Sequence, residues 1–228
     1  MFKKLNNIGD CAIACDFGDE VNRTINNSVI KLFHHIKTEV SKGNLDGILN
    51  YTPSYNKLII NFDLGKTNSS KIMDFLKSVD FSKLNISQNS KKWTIPVCYD
   101  FEIDLANMSK TLKIDKDEII NIHLSTDFFI YMVGFIPGHP FMGDLDSKLF
   151  LNRLKTPRVK IPAGSVGIVE KFCNIYPYES PGGWNIIGRT PIKLFNKKDE
   201  SNPCLLSAGD SVKFKSISKK EFEKLNNE

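Results

Sequence analysis

The residues best suited to chemistry in this sequence gather in one stretch rich in glycine and proline. Gly134-Phe135-Ile136-Pro137-Gly138-His139-Pro140-Phe141 is followed by Pro162-Ala163-Gly164-Ser165 and by Ser180-Pro181-Gly182-Gly183-Trp184. Glycine permits positive φ and close approach of backbone to a ligand, and proline fixes the path on either side. Loops of this composition can aim several N–H groups at one anion. Arg158, Lys160, Arg189 and the Ser165 hydroxyl lie within or beside them. Composition therefore points to a binding surface for something oxygen-rich, with rigid corners between strands as the structural alternative.

The other chemical candidates are weaker. Gly65-Lys66-Thr67 lacks the upstream glycine of a phosphate loop, since Ile60 stands there, and reads as a turn. His34 and His35 are adjacent on a helical pattern, so they point about 100° apart and cannot share a metal. His123 follows Ile119 and Ile120 by four and three positions, on an apolar helix face just before the Gly/Pro region. That placement suits a core histidine more often than a catalytic one. The five cysteines form no C-x-x-C pair, so free thiols in a reducing, cytoplasmic setting are expected, without a disulfide framework or a metal site.

Composition narrows the class. The chain has 228 residues, 41% apolar and 25% charged, with a net charge of +5 spread along its length. That is ordinary for a globular protein. No basic stripe interleaved with aromatics argues for nucleic acid as a partner. No apolar run reaches the roughly 18 residues that would span a bilayer, and the start Met1-Phe2-Lys3-Lys4 has no apolar stretch behind it, so neither membrane insertion nor secretion is expected.

The elements that must position these loops fall into two domains. Residues 1–90 read as a small α/β unit. Cys11–Phe17 is strand-like, and Val21, Ile25, Val29, Leu32, Phe33, Ile36 and Val40 recur at helical spacing behind Asp19 and Glu20. Ile48–Thr52 and Lys57–Phe62 suggest a strand pair, and Ser69 or Ser70 caps a further helix carrying Ile72, Phe75, Leu76 and Val79. The order strand, helix, strand, strand, helix predicts a ferredoxin-like unit. A polar seam, 85–92, reads as the linker. Residues 91–228 then predict an all-β barrel preceded by short helices. Trp93–Tyr99 and Phe128–Val133 are strand-like, and Asp115 with Glu118 forms a capping-box pattern. The fold class is thus α+β.

Several motifs in fixed order resemble one family. They are Gly134-Phe135-Ile136-Pro137-Gly138, Thr156-Pro157-Arg158, Ile161-Pro162-Ala163-Gly164-Ser165-Val166-Gly167-Ile168, Ile175-Tyr176-Pro177, Glu179-Ser180-Pro181-Gly182-Gly183-Trp184 and Ile187-Gly188-Arg189-Thr190-Pro191. Together with Gly9-Asp10, Pro53-Ser54-Tyr55, Ile95-Pro96-Val97-Cys98-Tyr99 and Gly209-Asp210, they look like the motif series of the 5-oxoprolinase B-subunit family. That family is also described as Kip kinase inhibitors or allophanate hydrolase subunit 1. The resemblance spans essentially the whole chain. It departs at Glu170-Lys171-Phe172-Cys173-Asn174, where the family commonly has a Gly-rich stretch with Gln-Thr, at His139, where it has Phe, and at Asp144, where it has Gly.

The resemblance implies a cyclophilin-like β-barrel behind the small domain. It implies two partners, a larger C subunit of 5-oxoprolinase with a barrel of its own, and the A subunit. It implies a hydrolase, inactive as a single chain, that opens the lactam of 5-oxo-L-proline to L-glutamate with hydrolysis of ATP, with Mg2+ shared with the partner. On that view Arg158 and Arg189 stabilise phosphoryl oxygens, the loops at Gly138, Gly164 and Gly182 offer N–H donors, and His123, or Glu179, moves a proton. His139, Pro162, Ser165, Tyr176, Ser180, Gly183 and Trp184 complete the ligand-lining set. Two other readings stay open at this point: an inhibitor docking on a sensor histidine kinase, and a component of a urea- or amide-carboxylating system.

Overall fold

A computed structural model describes residues 2–84 and 90–227. The chain divides into two compact units, Met1–Asn89 and Ser90–Glu228. The greater part of the polar seam expected to act as linker, residues 85–89, lies outside the described residues.

The first unit is an antiparallel sheet backed by two helices. Its strands are β1 (Lys4–Ile8), β2 (Ala12–Asp16), β3 (Ile48–Pro53) and β4 (Lys57–Phe62), in the spatial order β1-β2-β4-β3. Helix α1 (Arg23–Ser41) lies between β2 and β3, and α2 (Ser69–Ser78) follows β4. Strand alternation sends Ile13, Cys15, Leu58, Ile60 and Phe62 inward, where they meet Val29, Leu32 and Ile36 of α1 and Ile72 and Leu76 of α2. The expected strand, helix, strand, strand, helix order is present. A ferredoxin-like motif would place its fourth strand after the second helix; here the fourth strand is β1, at the front of the chain.

Helix starts differ from the expectation. α1 begins at Arg23 rather than Asp19, because the Asn22 side chain accepts from Ile25 N at 2.9 Å. In the same way Asn68, not Ser69 or Ser70, caps α2. Asparagine is among the strongest N-caps, so it fixes the start wherever it precedes the apolar period.

The second unit is built on a seven-stranded sheet. In chain order it contains β5 (Lys92–Val97), α3 (Leu105–Leu112), α4 (Lys116–Ser125), β6 (Phe128–Val133), β7 (Pro140–Gly143), β8 (Arg158–Ile161), β9 (Ser165–Val169), β10 (Phe172–Ile175), β11 (Ser180–Gly182), β12 (Asn185–Arg189), β13 (Ser211–Ser216) and α5 (Lys219–Asn226). The sheet order is β12-β9-β10-β7-β6-β13-β5, and β8 pairs with β11 as a separate ribbon. Among the described residues only β5 and β13 run parallel. The two edges meet where Cys98 bridges Arg189, so the sheet closes into a near-barrel. Its interior holds Ile95, Val97, Phe128, Ile130, Met142, Val166, Ile168, Cys173, Ile175 and Ile187, with Leu105 and Met108 of α3 and Ile119 of α4 added to the same core.

The capping box expected at α4 does not form, for Asp115 makes no side-chain cap bond. Asp104 precedes α3 and likewise leaves the helix uncapped, because its carboxylate is committed elsewhere.

Candidate functional site

Alternation along β9 and β10 decides which residues face away from the core. Val166, Ile168, Cys173 and Ile175 point inward, so Ser165, Gly167, Asn174 and the following Tyr176 share the opposite face. Tyr176 is the centre of that face. Its N–H donates to Ser165 O at 2.9 Å, and its ring packs with Ile161 and Ile186, Trp184 lying alongside. The imidazole of His139 tilts against it with centroids 5.3 Å apart, and stacks on Phe141 at 4.7 Å with the planes 4° apart. Burial raises the Tyr176 hydroxyl pKa, partly offset by Asn174 and by the nearby charges of Arg153 and Arg158.

Glycines make this packing possible. A Cβ on Gly182 would stand 2.4 Å from the Tyr176 hydroxyl oxygen, and one on Gly167 would stand 2.8 Å from Asn174 Oδ1 and 3.0 Å from Trp184 Cβ. Gly164 adopts φ of +78°, and a Cβ there would stand 2.1 Å from Thr190 O. Its N–H, expected to serve an anion, donates instead to Tyr176 O at 2.8 Å. The Gly164 loop is therefore a structural clamp between Tyr176 and Thr190. Gly138 also has positive φ and lies against Phe195 and Leu194. Pro162 O accepts from Ser165 N at 3.2 Å, closing the turn that carries Gly164.

The three candidate catalytic side chains have separate surroundings and share no partner. Arg158, on β8, pairs with the buried carboxylate of Asp104. The second oxygen of that carboxylate accepts from Ile186 N at 2.6 Å. One aspartate thus ties β8 to β12 and fixes the start of α3. Arg189 donates to Ala163 O at 3.1 Å and lies over the rings of Phe101 and Phe222, 4.9 and 5.3 Å from their centroids. His123 is fully enclosed in the barrel core. It shares a hydrogen bond of 2.8 Å with the Tyr99 hydroxyl, stacks on Phe214 at 4.6 Å, and faces Cys173 Sγ at 3.7 Å. Burial pushes its pKa down to about 3, so the ring is neutral there. Glu179 is exposed and paired with Lys160 at 2.9 Å, and Ser180 is on the rim of the same ribbon. Gly183 O accepts from Leu154 N at 2.8 Å, with exposed Arg153 alongside.

Sequence reasoning did not find the tie made by Asp104, and it placed His139 among the lining residues without its burial. His139 is 2% exposed, and neither of its ring nitrogens has a partner. Burial lowers its pKa to about 4. In the sequence it stands out as a histidine inside a Gly/Pro turn, at a position where the resembled family has Phe. Among the described residues, no group of three or more His, Cys, Asp or Glu is placed to hold a metal ion, and no helix is long and apolar enough to cross a membrane.

A barrel-like sheet with a clamped Gly/Pro face and a small α/β unit beside it in the chain defines a class of protein. Residues 3–206 match the family described as carboxyltransferase domain, subdomain C and D, and the chain belongs to that family. Within it, the resemblance to the B subunit of 5-oxoprolinase holds. The 5-oxoprolinase B subunit of Bacillus subtilis is 33% identical over 96% of this chain and 95% of its own length. The one from Haemophilus influenzae is 38% identical over 68% of this chain and 78% of its own. Among solved structures, TTHA0988 superposes with a TM-score of 0.80 at 26% identity over 92% of this chain, which spans 40% of that longer one. The urea amidolyase of Kluyveromyces lactis shares the fold, with a TM-score of 0.74 at 22% identity over 96% of this chain and 15% of its own.

Proposed function

We propose that this chain is the B subunit of an ATP-dependent 5-oxoprolinase and supplies one share of a composite site completed by the larger C subunit and the A subunit. The observation that carries the reading is near full-length identity of 33% to a relative of that name. The clamped face around Tyr176 supports it as the place where a small polar ligand is held. On this reading the second unit is a cyclophilin-like barrel, and the first is a ferredoxin-like unit whose edge strand has moved to the front of the chain.

A lactam is a poor electrophile. Transfer of the terminal phosphoryl group of ATP to the lactam oxygen forms one P–O bond, breaks another and releases ADP. The ring carbon is then open to water. Breaking the C–N bond sends the electron pair and a proton to nitrogen, and a second water is consumed as phosphate leaves, giving L-glutamate. Positioning and fixed dipoles account for most of the rate in such transfers.

The residues of this chain do not fit a complete nucleotide site. One arm of Arg158, Nη2, is already paired with Asp104, Lys160 with Glu179, and the Gly164 N–H with Tyr176 O. With these groups engaged, we assign the triphosphate and its metal to the partner subunits. His123 is enclosed in the core, and His139 is the imidazole on the side of the loops.

The test is ATP hydrolysis by this chain co-purified with its larger partner, with and without 5-oxoproline. Stimulation by 5-oxoproline is expected, and Arg158→Ala should abolish it. A stable complex that 5-oxoproline does not stimulate would overturn the reading. The family description, carboxyltransferase, favours one alternative, transfer of a carboxyl group from carboxybiotin to an amide. Turnover that needs a biotinylated carrier would select it.

A further inference from the structure

Five buried polar atoms on or beside the face of Tyr176 have no hydrogen-bond partner: both ring nitrogens of His139, Ser165 Oγ, Asn174 Oδ1 and Arg158 Nη1. They reach this place from four elements, Asn174 on β10 beside Tyr176 itself. His139 lies on the turn before β7, its ring 5.3 Å from that of Tyr176. Ser165 opens β9 and is bonded to Tyr176 through the backbone. Arg158 stands on β8 opposite Gly182, the glycine that makes room for the Tyr176 hydroxyl. Buried polar atoms are rarely left unpaired in folded proteins, so several gathered at one ring mark a place where a ligand can satisfy them.

The electrostatics specify that partner. Arg158 is neutralised by Asp104, and His139 is an uncharged imidazole above about pH 4. An electrically balanced set of groups does not offset the desolvation of a phosphate. It suits an uncharged group that both accepts and donates. The Arg158 N–H and the Ser165 O–H match a carbonyl oxygen, and the bare imidazole nitrogen matches an N–H. Arg153, exposed beside Gly183, supplies a cation at the rim. Phe135, 81% exposed, meets the imidazole edge-on at 6.0 Å and forms its outer cover.

We propose that His139, Ser165 and Arg158 Nη1 form an amide pocket against Tyr176. It takes the –CO–NH– edge of a small lactam, with the ligand's carboxylate at Arg153, and leaves phosphate to the partner chains. The inference rests on the 5-oxoprolinase reading and assigns the lactam, in place of the nucleotide, to this chain.

The experiment is an NMR titration of the full chain with 2-pyrrolidinone, 5-oxoproline and inorganic phosphate, read at the His139 ring and the Trp184 indole. Both lactams should shift these signals and phosphate should not. His139→Phe and, as a second variant of nearly unchanged bulk, Ser165→Ala should each weaken 2-pyrrolidinone about tenfold. Arg153→Ala should remove only the advantage of 5-oxoproline over 2-pyrrolidinone. Absence of lactam shifts, equal binding by folded His139→Phe and Ser165→Ala, or phosphate competing at the same signals would overturn the proposal. If lactams bind here but 5-oxoproline never stimulates ATP hydrolysis by the assembled complex, the functional reading fails and the amide pocket stands.

Discussion

Cys98 and Arg189 exchange both of their backbone hydrogen bonds, at 2.8 and 2.9 Å, and this single bridge joins the two edges of the seven-stranded sheet. The seam is tight because Gly188 precedes it. A Cβ there would stand 2.7 Å from Val97 Cγ1 and 2.9 Å from Cys98 O, the acceptor of the bridge itself.

Gly188→Ala should therefore destabilise the second unit by about 1–3 kcal/mol, the usual cost of overpacking. Urea unfolding followed by near-UV circular dichroism measures it. An unchanged midpoint would mean that the seam has slack.

Arg158→Ala should lower stability as well as activity. Asp104 is 5% exposed and would be left with a buried charge. Breaking a buried pair by removing one partner costs about 3–5 kcal/mol, and the lower end applies because Arg158 keeps 30% side-chain exposure. Asp104→Asn should cost less, since its amide oxygen can still accept from Ile186 N. Thermal unfolding of the two variants separates this structural effect from any loss of turnover.

Stability should fall as pH drops below about 6.5. His123 and His139 titrate near 3 and 4 when folded, against 6.5 for the free side chain. Between those values the unfolded chain binds more protons, so stability rises with pH, is fully present above 6.5 and is lost toward 4. Each histidine contributes up to about 1.4 kcal/mol per pH unit in that window. The groups facing His123, Tyr99 and Cys173, have pKa values raised by burial and stay neutral throughout. Asp16, held low by Lys57, adds the same sign only in more acid solution. Unfolding of His139→Phe across pH 4.5–7 should show a shallower slope. An identical slope would remove His139 as a source of the pH dependence.

What the sequence made legible follows from which forces are local. Phe128–Val133 was readable as a strand because β-branched and aromatic residues crowd one short window, and the helical run from Ile25 to Val40 because its period repeats. β1 was not, since Lys4–Ile8 carries two asparagines and is held by pairing with β2, with Leu5 alone reaching the core from it. The tie from Asp104 to Arg158 joins residues 54 positions apart, and no local pattern announces it. The loops were visible as chemistry, but the sequence does not say which of their N–H groups are already engaged; Gly164 is the example. His123 illustrates the reverse, because its apolar helix face was a correct sign of a core position.

The C-terminal helix offers a last test, of Arg189. α5 has a capping box formed by Ser218 and Glu221, yet at eight residues it is too short to persist alone. Phe222 anchors it, 5% exposed, with its ring 4.9 Å from Phe101 and the guanidinium of Arg189 above both. Phe222→Ala removes a buried aromatic, for which about 3–5 kcal/mol is usual in a core, plus a cation–π contact of roughly 0.5–1 kcal/mol. That loss exceeds what a two-turn helix can recover by itself. Amides of Phe222 to Asn226 should then exchange with solvent far faster, while those of β6 and β10 keep their protection. Unchanged exchange at Phe222 to Asn226 would show that the capping box, and not the aromatic anchor, keeps Arg189 covered.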